Sequence, residues 1–303
     1  MNKNQLGKSD LYISELTLGC MSLGTNVDNA SKIIESALDS GINHLDTADL
    51  YDFGINEEIV GSVIKNKRDN IILTSKVGNH FNAEKKAWYW DPSKEHIESG
   101  IKDSLRRLNT DYLDLYLLHG GTIEDPIDEV IHTMETLKKE GTIRAYGISS
   151  IRPNVIREYV KRSNIDAVMM QYNMFDRRPE EEVLDLLNEN SISVLARGPL
   201  AKGMLSNKGL EVIHSKGKEG YLDYSSEDLI EGFQKLHSLS AERSMNGLAL
   251  GYVLKHPAVA SAVFGASSMH QLIENTASGI NLETSVYRKV QEITKAITYT
   301  NHR

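Results

Sequence analysis

Short apolar runs recur along the chain, and most of them end on a polar residue capable of chemistry. Asn43-His44-Leu45 ends at Asp46, Ile71 to Ser75 at Lys76, Leu115 to Leu118 at His119, Ile143 to Ile148 at Ser149, Ala167 to Met170 at Gln171, and Ile192 to Ala196 at Arg197. Apolar runs of this length, bounded by polar residues, read as buried strands. Helical spacing fills the intervals. Ile97, Ile101, Leu105 and Leu108 follow Ser93, which is suited to cap a helix. The helical stretch from Ala30 to Leu38 stops at Gly41 and the one from Ile127 to Leu137 at Gly141, where glycine accepts a left-handed C-cap. Pro126, Pro153 and Pro179 stand near helix starts, where a missing amide proton costs nothing, and Pro257 ends a helical stretch.

Strand and helix alternate about eight times, at a spacing near the ~30 residues of a βαβ unit, which predicts an α/β protein. An open doubly wound sheet would ordinarily show G-x-G-x-x-G after its first strand; the chain has no G-x-G, no G-x-x-x-x-G-K-[ST] and no Y-x-x-x-K. The prediction is therefore a (β/α)8 TIM barrel preceded by an N-terminal hairpin. A long polar, glycine-rich loop from Gly198 to Ser225 follows strand seven, and a C-terminal segment after Asn281 is expected to be helical. No internal repeat or low-complexity linker interrupts residues 1–303, which read as one domain. A closed parallel barrel gathers its strand ends around one mouth, so an acid, a lysine, an imidazole, a hydroxyl, an amide and a guanidinium would face one cavity, as in an enzyme.

Composition narrows the partners. Asp and Glu number 42 against 34 Lys and Arg, and the net charge of -8 argues against nucleic acid or an anionic membrane as the main partner. One cysteine, Cys20, excludes an intramolecular disulfide, and no apolar run approaches the ~20 residues of a membrane span. Met1 to Asp10 has no apolar signal core, so the expected location is cytoplasmic. The 10 histidines show no H-E-x-x-H or similar ligand spacing, and no metal site is expected. Nothing in the composition bears on the oligomeric state.

The segment from Gly41 to Tyr51 carries the densest chemistry. Asp46 ends a strand and Tyr51 lies about one turn on, close enough for both to border one cavity. Tyrosine is a reluctant general acid, with an ordinary pKa of ~10, and a fixed cation eases its proton exchange by stabilising the phenolate. Lys76 can be that cation, Asp46 can hold it by an ion pair, and His119 can orient a substrate oxygen or relay a proton.

Four phrases in order and spacing, Gly41-Ile42-Asn43-His44-Leu45-Asp46-Thr47-Ala48-Asp49-Leu50-Tyr51, Asn56-Glu57-Glu58-Ile59-Val60-Gly61, Thr74-Ser75-Lys76 and Asp114-Leu115-Tyr116-Leu117-Leu118-His119, resemble the signatures of the aldo-keto reductase superfamily. The resemblance runs from Leu6 to about Ala277. It implies a catalytic tetrad of Asp46, Tyr51, Lys76 and His119, and reversible hydride transfer from NADPH, or NADH, to a small-molecule aldehyde or ketone. It also implies a cofactor site. Ser149 and Gln171 match the residues that face the nicotinamide carboxamide, with Ser150 in place of the usual asparagine. Arg197 replaces a stacking aromatic, and a guanidinium plane can stack too. Gly198, Pro199, Leu200, Lys202 and Gly203 resemble the belt over the pyrophosphate, and Gly265, Ser267, Gln271, Glu274 and Asn275 the adenosine site. The cationic residues that often grip a 2'-phosphate are missing from that last group.

Plainer readings stand beside these. Asp46 and Lys76 alone would more often be a structural ion pair. Met21, Trp88 and Trp90 are candidates for the substrate pocket, against burial for Met21, with Cys20, and an edge cap for the tryptophans. Glu180-Glu181-Glu182 reads as the solvated first turn of a helix. Two other functions stay open: a Schiff-base lyase with Lys76 as nucleophile, which the Asp46 pair disfavours by keeping the lysine protonated, and a nonenzymatic nicotinamide-binding, redox-sensing subunit.

Overall fold

The computed structural model describes residues 1–240 and 243–303. Eight parallel strands close into a barrel: β1 (Leu16–Gly19), β2 (His44–Asp46), β3 (Ile72–Val77), β4 (Leu113–Leu118), β5 (Ile143–Ser149), β6 (Ala167–Gln171), β7 (Ser193–Arg197) and β8 (Val259–Gly265). Each pairs with its sequence neighbours, and β8 returns to β1 with Ala262 opposite Leu16. Alternation along β4 shows how the barrel sorts its side chains. Leu115 and Leu117 belong to the inner cluster with Ala145, Met169 and Leu195, while Tyr116 and Leu118 join the larger layer between strands and helices.

The inner cluster is closed from below by the N-terminal hairpin, Lys3–Gln5 paired with Tyr12–Ser14, through Leu6, Leu11 and Ile13. In register with it, on β1, β2, β3 and β8, runs a polar network, or polar ring. Thr17 Oγ1 lies 2.6 Å from Ser261 Oγ and 2.8 Å from His44 Nδ1, and His44 Nε2 lies 2.7 Å from Thr74 Oγ1. Burial, with Lys76 nearby, lowers His44 to about 3, so this ring is uncharged.

The helical punctuation holds. Helix α1 (Val27–Asp39) ends before Gly41, at φ +94°; α2 spans Ile55–Ile64; α3 (Lys94–Leu108) is capped by the Ser93 side chain; α4 (Ile127–Lys139) ends before Gly141, at φ +80°; and α5 (Pro153–Arg162) has proline in its first turn. After α6 (Val183–Glu189) and β7, the expected long loop differs from its reading, because Gly209–Lys216 is helix α7. Gly209 sits where a Cβ would meet Met204 O and Phe233 at 2.3 Å, so this glycine serves packing rather than flexibility. Helices α8 (Ser226–Leu239) and α9 (Met245–Leu254) lead to β8, followed by α10 (Met269–Thr276) and the expected C-terminal helix α11 (Thr284–Ile293). Among the described residues no helix is long and apolar enough to cross a membrane.

Glu180 departs from its solvated reading. Its carboxylate accepts hydrogen bonds from Tyr172, Tyr252, Arg177 and Gln291, tying the β6 end to α9 and α11. Only Glu181 and Glu182 remain exposed, each paired with an arginine.

Candidate active site

At the C-terminal mouth of the barrel, β2 and β3 bring a carboxylate and an ammonium into contact. Lys76 is fully buried; its Nζ lies 2.7 Å from Asp46 Oδ1, donates to the Thr47 carbonyl at 2.6 Å, and reaches the Tyr51 hydroxyl at 3.3 Å. Tyr51 is delivered by a tight turn in which Asp52, Phe53 and Gly54 all take positive φ. A Cβ at Gly54 would lie 2.9 Å from Arg107 Cδ, so glycine is required there both for the turn and for the passing arginine. The Asn56-Glu57 phrase anchors this turn. Asn56 accepts from Thr47 Oγ1 and donates to the Cys20 carbonyl, and buried Glu57 accepts from Ser75 Oγ at 2.5 Å and Arg107 Nε at 2.6 Å.

Burial pushes the Tyr51 phenol above its ordinary value despite the opposing Lys76 charge, so Tyr51 carries its proton at neutral pH. Burial pulls the Lys76 ammonium down, but Asp46 and Tyr51 together outweigh it, and the lysine stays protonated. His119, at the end of β4, meets Tyr51 edge to face with ring centroids 5.8 Å apart. Burial, then Lys76 and Arg197, lowers its pKa to about 3; the imidazole is neutral, and its Nδ1 is buried without a partner. A protonated phenol, a fixed ammonium and a neutral imidazole at one mouth can give a proton to an oxygen and stabilise the phenolate left behind.

These groups open into a cavity of about 1520 Å³. That exceeds the ~300–1,000 Å³ of typical small-ligand sites and leaves room for a dinucleotide with a substrate. Ser149, Gln171, Arg197, Gly198, Pro199, Leu200, Lys202, Gly203, Gly265, Ser267, Gln271, Glu274 and Asn275 all line it. Gln171 donates to Asp176 Oδ2 and the Tyr221 hydroxyl, and its Oε1 accepts from Arg197 at 3.3 Å. Gly198 has φ +67°, and a Cβ there would have a nearest neighbour 3.9 Å away, leaving the backbone open to a ligand. Ser267 donates its amide and hydroxyl to Gln271 Oε1, and Ser268 caps α10.

Several lining residues were not read from the sequence. Lys208 and Lys216 come from the segment after β7, and Asn207 Nδ2 donates to Glu274 Oε1, which seats that segment against α10. Arg152, after β5, and the C-terminal residues Tyr299 to His302 line another part of the mouth, the tail being held where Asn154 N donates to the His302 carbonyl.

Met21 is 63 % exposed and lines the cavity, which favours the pocket reading over burial. Trp88 and Trp90 are corrected: neither lines it. Both lie on a hairpin, Asn79–Asn82 with Ala87–Trp90, from which Trp88 projects to solvent. Trp90 donates Nε1–H to Asp125 and covers Gly78 and Gly120, where a Cβ would meet its ring at 2.6 and 3.0 Å. It buttresses the His119-Gly120 turn from outside. The same hairpin brings His80 beside Asp91 and His96. The two imidazoles stack at 4.7 Å and 13°, so their in-plane lone pairs run side by side instead of converging on one ion.

A parallel barrel whose mouth presents a phenol, a carboxylate and an imidazole to a dinucleotide-sized cavity, with an ammonium buried behind the phenol, fits a carbonyl-reducing barrel enzyme. The chain matches the Aldo/keto reductase family over residues 15–295 and belongs to it. It is 54% identical to an uncharacterized oxidoreductase, YqkF, of Bacillus subtilis (strain 168), covering 100% of both chains. It is 30% identical to the NADH-specific methylglyoxal reductase of Escherichia coli (strain K12), over 98% of this chain and 99% of that one. Among solved structures, the holo form of aldo-keto reductase AKR11C1 from Bacillus halodurans superimposes with a TM-score of 0.93 at 51% identity, covering 100% of this chain and 99% of that one. The apo form of that protein gives 0.85 at 48% identity, with the same coverage. The chain is thus an NAD(P)H-dependent oxidoreductase of small-molecule carbonyl compounds.

Proposed function

We propose that the protein reversibly reduces an aldehyde or ketone to the alcohol with Tyr51 as proton donor, preferring NADPH and accepting NADH. The observation that carries this reading is the contact chain from the Tyr51 hydroxyl through Lys76 Nζ to Asp46 Oδ1, buried at the floor of the cavity. When bound, the reduced nicotinamide supplies the hydride. Ser149 and Gln171 offer neutral hydrogen-bonding groups for its carboxamide, Arg197 offers a planar face, and Gly198 to Gly203 and Gly265 to Asn275 hold the rest of the dinucleotide.

Tyr51 holds the proton that the substrate oxygen needs as it gains charge. Lys76 steadies the phenolate, Asp46 keeps Lys76 protonated and in place, and neutral His119 directs the carbonyl oxygen toward Tyr51. The Asp46 pair also speaks against Lys76 as a Schiff-base nucleophile, which would have to lose its charge. Lys208 and Lys216 support NADPH by supplying the cationic character that the residues after β8 lack. The name of the Escherichia coli relative supports use of NADH and a 2-oxoaldehyde as a first substrate to try.

Tyr51→Phe removes only the hydroxyl. Methylglyoxal reduction, followed by loss of NADPH absorbance, should fall ~10²- to 10⁴-fold, with NADPH affinity by fluorescence titration little changed. A variant as fast as wild type removes Tyr51 from the role.

A further inference from the structure

Most arginines of this acidic chain are neutralised by a carboxylate. Among the described residues only Arg152, Arg197 and Arg288 enter no ion pair, and Arg288 is exposed on α11. The other two line the cavity described above. The contrast with Arg178, another lining residue, is direct: both carboxylate oxygens of Asp176 hold its guanidinium at 2.7 Å. Arg197 is half-buried beside the tetrad and serves the proposed cofactor contact. Arg152 has no such use.

Its setting is fixed and faces a different part of the mouth. Arg152 precedes α5, and its Nη1 donates to the Gly121 carbonyl at 2.5 Å. Gly121 lies two residues beyond His119, so at most ~7 Å of chain separates them. The C-terminal tail closes this side, with Asn154 N bonded to the His302 carbonyl and the Tyr299 ring against Arg178 at 4.8 Å. That tail carbonyl takes one of the first amides of α5, leaving the guanidinium as the cationic group there. Around the barrel, β4 and β5 carry Gly121 and Arg152, with Arg152 three residues past Ser149 of the proposed nicotinamide contact, while the belt and adenosine residues follow β7 and β8. A guanidinium at the proposed nicotinamide end, where the carbonyl compound must meet the hydride, held by a carbonyl and left without a carboxylate, has donors to spare for an anion.

We propose that the physiological carbonyl compound carries an anionic group, carboxylate or phosphate, a short chain away from its carbonyl, and that Arg152 receives it. The proposal rests on the reductase reading above and adds the substrate class. Two matched pairs test it: 4-oxobutanoate against butanal, and glyceraldehyde 3-phosphate against glyceraldehyde. In wild type the anionic member of at least one pair should have the higher kcat/KM, and the pair showing it distinguishes carboxylate from phosphate.

In Arg152→Ala, KM for that member should rise ~10- to 100-fold with kcat little changed, as loss of a charge-assisted contact predicts. The neutral members and the NADPH Kd should move no more than ~3-fold, and Arg152→Lys should restore part of the loss. Equal treatment of both members by wild type and variant overturns the proposal. So does a weakened NADPH Kd, which would assign Arg152 to the cofactor. If wild type reduces none of the four aldehydes, the reductase reading fails by itself. Calorimetric binding of 4-hydroxybutanoate and glycerol 3-phosphate, against 1-butanol and glycerol, to the NADP⁺ complex then decides the anion site: Arg152-dependent binding of an acid upholds it, and its absence rejects it.

Discussion

Asp49, three residues past the end of β2, is 2 % exposed, and its Oδ1 is buried with no hydrogen-bond partner. Burial, reinforced by the neighbouring Glu57 carboxylate, pushes its pKa up to about 8, against the pull of a backbone amide, Arg107 and Lys76. The folded protein therefore holds a proton that the unfolded chain releases near its ordinary 3.8. Because the folded value is the higher one, the stabilisation is complete below about 4 and is lost as pH rises through about 8, at ~1.4 kcal/mol per pH unit in between. The whole interval corresponds to ~6 kcal/mol as a ceiling, and the part between pH 6 and 8 to ~2 kcal/mol.

Asp49→Asn keeps the shape and removes the titration. Its amide brings donors that must be placed, a cost independent of pH, so the slope is diagnostic and the offset is not. Urea unfolding of both proteins at intervals from pH 5.5 to 8.5 should show wild type losing ~2 kcal/mol relative to the variant between pH 6 and 8. A difference that stays flat across that range refutes the reasoning, since it would mean that Lys76 and Arg107 keep Asp49 ionised in the fold.

Two further substitutions probe the site and its frame. Lys76→Met leaves the Asp46 carboxylate buried and unpaired, so it should cost ~3–5 kcal/mol in thermal or urea unfolding and abolish most turnover. Borohydride added to wild type with substrate should leave no adduct on Lys76 by mass spectrometry, and a trapped adduct would move the protein to Schiff-base chemistry. Gly61→Ala should destabilise by ~1–3 kcal/mol, because its Cβ would sit 2.6 Å from the Leu108 backbone where α2 crosses α3. Gly279→Ala, with nothing within 4 Å, should unfold within ~0.5 kcal/mol of wild type; equal effects of the two would rule out the close approach as the cause.

What was legible before the structure was the barrel and its rim, because a parallel strand buried on both faces must be continuously apolar and must stop where it meets the mouth. Asp46, Gln171 and Arg197 are the last residues of their strands and His119 follows its own directly, while β3 runs one residue past Lys76. Less legible was whatever depends on a distant partner. Glu57 looks like the acidic first turn of an exposed helix until Arg107, far along the chain, crosses Gly54 to meet it. Glu180 has the same local appearance, and only its contacts with Tyr252 and Gln291 set it apart from Glu181 and Glu182. The tail from Tyr299 to His302 carries no local signal for lining a cavity; its place depends on distant partners, Asn154 at the His302 carbonyl and Arg178 at the Tyr299 ring. Trp88 and Trp90 misled for the opposite reason, since aromatic density marks a pocket and a hairpin buttress equally well.

The buried charge of Lys76 links these observations. It helps to lower both His44 and His119 to about 3 and opposes the upward push of burial on Tyr51. The polar ring of Thr17, His44, Thr74 and Ser261 beneath it is fully hydrogen-bonded yet uncharged, so Lys76 has Asp46 as its close carboxylate partner and no competing cation at contact distance. A second ionised carboxylate would divide that attraction, and Asp49 is the nearby residue able to supply one. Keeping Asp49 protonated through neutral pH leaves the ammonium shared between Asp46 and the Tyr51 hydroxyl. On the proposed assignment, this directs the cation's field to the phenol whose proton must leave. The pH slope expected of Asp49 and the activity expected of Tyr51 are therefore coupled: an Asp49 ionised at pH 7 would weaken Lys76 as the partner of the phenolate.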